Sequence, residues 1–93
     1  MIKSFRNKDT ERIWNREPSK RLSAELQRTA LRKLIAVDGA EALQDLRIPP
    51  GNRLEKLSGS RHDQMSIRIN NQRRICFIWK DGNAHEVEII DYH

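Results

Sequence analysis

Two hydrophobic periods divide this chain near its middle. From Ser19 to Val37, Leu22, Leu26, Ala30, Leu34 and Val37 recur every three or four residues, and Leu31 and Ile35 widen the stripe. At 3.6 residues per turn these positions share one helix face, so the spacing predicts a helix over 19–37. Arg21, Glu25, Arg28 and Arg32 recur at the same spacing on the other side. They read either as a solvated face with a Glu25–Arg28 pair or as a cationic row for a polyanion. Beyond Gln64 the period falls to two. Met65, Ile67 and Ile69 alternate with Ser66 and Arg68, as in a strand with one buried face, which leaves Arg68 exposed. Arg74 to Lys80 is apolar on both faces, as in a central strand, and Ala84 to Tyr92 reads as the last strand.

Shorter signals fill in the rest. Met1 to Phe5 reads as a short first strand, and Asn7 or Asp9 can cap a helical stretch through Trp14 that Pro18 ends. Asp38, three residues before Glu41, has the form of a capping box and predicts a second short helix over Ala40 to Leu46. Pro49-Pro50-Gly51 then forces a turn. Asn70-Asn71 is expected to reverse the chain through positive φ, and Asp81-Gly82 is a hairpin signal. Strand, helices, then an antiparallel meander predict an α+β domain. It would hold an antiparallel sheet of about four to five strands with roughly two to three helices packed on one face. The other sheet face, carrying Arg68, would be open.

Composition narrows the chemistry. Ninety-three residues suit a single domain over 1–93. Lys and Arg number 18 against 13 Asp and Glu, a net charge of +5, which either solubilises the surface or attracts nucleic acid. Cys76 is the only cysteine, which excludes an intrachain disulfide, and its apolar surroundings suggest a small buried hydrophobe. No apolar run approaches the roughly 20 residues of a membrane span, so a cytoplasmic protein without a membrane partner is expected. The four glycines are isolated, so no phosphate-cradling loop is present. His62, His85 and His93 lack metal-ligand spacing. What remains is Arg68, Arg73 and Arg74 on the hairpin and Asp91-Tyr92-His93 at the close of the last strand. Arginine grips phosphate in a fork, and histidine exchanges a proton near neutral pH. Arg73 and Arg74 read equally simply as edge charges that discourage aggregation.

The stretch Asn52-Arg53-Leu54-Glu55-Lys56-Leu57-Ser58-Gly59-Ser60-Arg61, then Ser66-Ile67-Arg68-Ile69-Asn70 and Arg74-Ile75-Cys76-Phe77, resembles the RelE superfamily of bacterial toxins. With Met1-Ile2-Lys3-Ser4-Phe5, Pro49-Pro50-Gly51-Asn52 and Val87-Glu88-Ile89-Ile90-Asp91-Tyr92-His93, the chain is similar along essentially its whole length to the HigB, or plasmid-maintenance killer, family. The resemblance implies a ribosome-dependent messenger-RNA endonuclease that needs no metal or other cofactor. It also implies neutralisation by a HigA-type helix-turn-helix antitoxin, with operator DNA contacted only through that complex. Carried over by position, the catalytic set is Arg68, Arg74, Tyr92 and His93. RNA in the ribosomal A site would meet Lys56, Arg61 and Arg73, and Arg21, Arg28 and Arg32, together with Lys20 and Lys33, would meet ribosomal RNA. Three positions depart from the family pattern. Ser58 stands where some members have lysine, Glu55 where some have histidine, and Arg73 where an aromatic is common. These departures leave a second expectation open: a weakly catalytic module serving mainly as antitoxin partner and co-repressor.

Overall fold

The computed structural model describes residues 1–91. Four strands, β1 (Glu55–Lys56), β2 (Met65–Arg68), β3 (Arg73–Lys80) and β4 (Asn83–Asp91), pair antiparallel in that order. Two helices, α1 (Lys8–Trp14) and α2 (Ala24–Gly39), cover one face. Ile67, Ile75, Phe77 and Val87 project from the sheet into a core shared with Ile13, Ala30, Leu34 and Val37. Among the described residues no helix is long and apolar enough to cross a membrane.

Several boundaries differ from the sequence reading, each for a local physical reason. The long helix begins at Ala24 rather than Ser19, because Ser23 caps it by accepting from the Leu26 amide at 3.2 Å. The backbone of Ser19 is already taken up: its amide donates to Gln27 Oε1 at 3.1 Å, and Gln27 Nε2 returns bonds to the Ser19 and Leu22 carbonyls. Leu22 is therefore buried from the linker, not from the helix. Asp38 does not open a second helix. It stays in α2, and its Oδ1 accepts from the Ile2 amide at 2.8 Å. A 3₁₀ turn at Leu43–Arg47 replaces the expected helix, and Asp45 caps it from the amides of Glu41 and Ala42.

Met1 to Phe5 does not form a full strand. Ile2 and Phe5 make parallel bridges to Ala84 and Val87, so this segment flanks the outer edge of β4. Asn70-Asn71 reverses the chain without positive φ: Asn70 Oδ1 accepts from the amides of Gln72 and Arg73, so a side chain does the work of a backbone turn. Asp81 and Gly82, at φ of 54° and 76°, do form the left-handed pair that a tight hairpin requires. Between Cys76 and Ile78 the register of β3 against β4 shifts, and Glu86 absorbs the extra residue at φ 53°.

Candidate active site

Register puts the open sheet face together. Arg68 lies directly across from Arg74, and Ser66 across from Cys76. Cys76 in turn faces Glu88 on β4, and Glu55 on β1 faces Ser66. Side chains alternate along strands, so these residues share the face that the helices leave uncovered. Two like charges on one rung repel, and the two guanidinium groups reach different partners. Arg68 Nη2 donates to Asn71 Oδ1 at the reversal. Arg74, only 6% exposed, donates from Nε to Ser66 Oγ at 2.8 Å and from Nη2 to the Arg53 carbonyl at 2.5 Å. Glu55 lies 3.8 Å from Nη2.

The Arg53 carbonyl has a conformational origin. Pro50–Asn52 forms a 3₁₀ turn, and Arg53 closes it in the left-handed region at φ 46°. A non-glycine residue there stores backbone strain, on the order of 1–3 kcal/mol. Buried Asn52 secures the turn by donating from Nδ2 to the carbonyls of Leu46 and Ile48.

A second cationic cluster lies beside the first. Arg61 Nη1 donates to Glu88 Oε1 at 2.8 Å and to Gln64 Oε1 at 3.1 Å. Arg6 approaches the same Glu88 oxygen at 3.8 Å and Glu86 at 3.5 Å. The hydrogen bond to Glu88 raises the Arg61 pKa. Cys76 is fully buried beneath these groups, and burial pushes its thiol up to about 11. At neutral pH it is a protonated thiol, which agrees with the expected structural role.

The structure divides the other basic candidates rather than gathering them. Arg73 shares the parity of Ile75 and Phe77, so it points to the helix side and lines a small cleft with Arg21, Asp9 and Asp91. Lys56 pairs with Met65 and sits with Leu43, Leu54 and Arg47 on that same side. Arg21 precedes α2, whereas Arg28, which borders the groove between α1 and α2, and Arg32 stand four residues apart on the helix, so of the expected row only Arg21 falls outside it. Tyr92 and His93 lie outside the described residues. Ser66, Glu88, Arg6 and Asn52 escaped the sequence reading. Only for Ser66 was there a signal, its alternation with Arg68. Among the described residues, no three His, Cys, Asp or Glu side chains gather to hold a metal ion.

Residues 3–93 match the family described as the RelE-like toxin of type II toxin–antitoxin system HigB. The chain belongs to this family. It is 41% identical over 85 residues to Toxin HigB-1 of Vibrio cholerae serotype O1, covering 90% of each chain. It is also 36% identical over 63 residues to an uncharacterised protein of Haemophilus influenzae, covering 68% of this chain and 60% of the relative. The chain is thus a HigB toxin of a type II system, which implies an antitoxin partner. The α+β architecture, with its antiparallel sheet and helices on one face, is that of a RelE-like toxin.

Proposed function

We propose that this toxin is a ribosome-dependent messenger-RNA endonuclease. A ribose 2′-OH attacks the adjacent phosphorus, the 5′-oxygen leaves, and a 2′,3′-cyclic phosphate remains on the upstream fragment. One proton must leave the attacking hydroxyl and another must reach the departing oxygen, transfers worth about 10²–10⁴-fold each. His93 carries one of these protons, and Tyr92 orients the phosphate or stacks on a base. Arg68 and Arg74 neutralise the charge that grows on the phosphorus oxygens, commonly the largest single contribution.

The observation that carries the reading is the rung on which Arg68 and Arg74 stand opposite each other on the uncovered face. Ser66 and the Arg53 carbonyl hold the second guanidinium in place. Preorganised charge of this kind needs no reorientation as the transition state forms. A domain this small offers little surface to bend RNA into an in-line geometry, so the ribosomal A site presents the codon and the toxin adds charges and proton carriers. Arg61 contacts RNA from the same face, and Lys56, Arg73, Arg21, Arg28 and Arg32 contact ribosome or RNA from the others. A HigA-type helix-turn-helix protein is the antitoxin, operator DNA is reached only through that complex, and the action is cytoplasmic, where ribosomes are.

One observation favours a second reading. Arg74 is almost wholly buried, with Ser66 and the Arg53 carbonyl as acceptors and a carboxylate beside it, as in a structural arginine. In that reading catalysis is feeble, and the toxin acts mainly as antitoxin partner and co-repressor. Mapping transcript ends after induction of the toxin alone separates the two. New 5′ ends in phase with codons, lost in His93→Ala and Arg74→Ala, support the nuclease. Unchanged transcripts, or cleavage undiminished in His93→Ala, refute it as stated.

A further inference from the structure

The geometry points to a second phosphate site, formed by Lys33 and Arg32 of α2 with Arg68 of β2, that holds a phosphodiester of single-stranded RNA flanking the scissile one. This deepens the reading of the open face as an RNA surface and rests on it.

The argument starts from how the toxin's cations are balanced. Arg6 and Arg61 share Glu88, Arg6 also meets Glu86, and Arg74 lies beside Glu55. Among the described residues, Lys33, Arg32 and Arg68 have no such carboxylate. Lys33 reaches Asn52, whose turn packs against β2, the strand that carries Arg68, and Arg32 adjoins Lys33 on α2; burial first, then the Arg32 and Arg68 charges, lower the Lys33 pKa. The folded state therefore carries a repulsive cationic group with no carboxylate in ion-pair contact among the described residues.

Local packing does not account for that charge. The Lys33 ammonium donates to Asn52 Oδ1, and Asn52 spends its own amide on the Leu46 and Ile48 carbonyls. A neutral donor would satisfy Asn52 equally well without the repulsion. What the ammonium adds is charge, and donors beyond the one that Asn52 accepts. The location fits a nucleic-acid path. β1 pairs with β2 only at Met65 and Ser66, so Arg68 stands beyond the end of β1. The 3₁₀ turn that contains Asn52 packs against β2 and brings Lys33 to that margin. Arg68 thus belongs both to the rung with Arg74 and to the group with Lys33. A planar guanidinium can serve two phosphate oxygens from a fixed fork. An RNA strand whose scissile phosphate lies over the Arg68–Arg74 rung would pass its neighbouring phosphate over β2 toward α2.

The test uses the full chain and a short single-stranded oligoribonucleotide with 2′-O-methyl riboses, which cannot be cleaved. Lys33→Gln is the variant, because its side-chain amide can still donate to Asn52. In the parent toxin, the oligonucleotide is expected to shift the Asn52 side-chain amide resonances and to raise the midpoint at which Lys33 titrates. Lys33→Gln should weaken binding by about tenfold at low salt and reduce the log–log salt slope by about 0.7, the loss of one phosphate contact. Lys33→Arg should restore the slope. An unchanged slope in Lys33→Gln, or an Asn52 amide that ignores the oligonucleotide, overturns the site. A response to inorganic phosphate alone overturns the RNA assignment. Transcript mapping reads the nuclease separately: a toxin that never cleaves but shows the slope change loses its proposed activity and keeps this site.

Discussion

Ser66→Ala tests whether the buried arginine is held as described. The Ser66 hydroxyl is fully buried and accepts from Arg74 Nε at 2.8 Å. Removing it leaves a charged donor without that acceptor in a place water does not reach. Hydrogen bonds to charged groups contribute on the order of 1.5–3 kcal/mol, and an orphaned buried donor costs a comparable amount. The Arg53 carbonyl and the 3.4 Å contact to the Ser66 carbonyl remain, so the loss should fall near the low end, about 2 kcal/mol. At 4–8 °C per kcal/mol for a domain of this size, the melting midpoint should drop by about 8–16 °C. A guanidinium left to swing also loses its aim, so cleavage on programmed ribosomes should fall by about tenfold or more under conditions where the variant is fully folded. Ser66→Thr keeps the oxygen and suits a strand, so it should retain most of both properties. Urea unfolding followed by circular dichroism supplies the first number, and end-labelled transcript cleavage the second. A Ser66→Ala protein as stable and as active as the parent would refute the reasoning, because Arg74 would then owe its position to something other than this bond.

Four further predictions address the remaining contacts. Glu88→Gln removes the carboxylate shared by Arg61 and Arg6; with Arg61 partly exposed, stability should fall by only about 1 kcal/mol in low salt and less in high salt, and salt-dependent unfolding checks this. The same substitution should lower the Cys76 titration midpoint from about 11, since Glu88 raises it while Arg61, Arg74 and Arg6 oppose that rise, and pH-dependent alkylation of the thiol reads the shift. In the parent toxin the raised thiol pKa gives stability that is full below about pH 9 and is lost as pH rises toward 11; Cys76→Ala, melted across that range, should show a flatter profile. At the bulge, Glu86→Val should cost about 1–2 kcal/mol because a β-branched residue is forced to φ 53°, whereas Glu86→Asn should be close to neutral; matched thermal melts of the two variants decide it.

Read from residues alone, some of this molecule is plain and some is hidden. The meander from Met65 to Asp91 is legible because period-two alternation and an Asp81-Gly82 turn act over neighbouring residues. The pairing of Arg68 with Arg74 follows once that hairpin is drawn, since a short reversal leaves few registers open. Ser19 is of a residue type suited to an N-cap and opens the apolar period, but Gln27, eight residues on, captures its backbone, and the helix starts after Ser23 instead. Asp38 and Glu41 have capping-box spacing, but a bond across 36 residues to Ile2 claims the aspartate.

By its own order of residues, the chain determines a half-buried antiparallel sheet, an amphipathic helix to cover it, an excess of positive charge and the kinship with HigB toxins. These follow from periodicity, turn chemistry and shared motifs, which are local. Tertiary structure alone decides which positive charges are spent and which are left over. Arg61 meets Glu88 across 27 residues, Arg74 meets the Arg53 carbonyl across 21, and Lys33 meets Asn52 across 19. Coulomb and hydrogen-bond energies depend on separation in space, and no one-dimensional pattern carries that quantity.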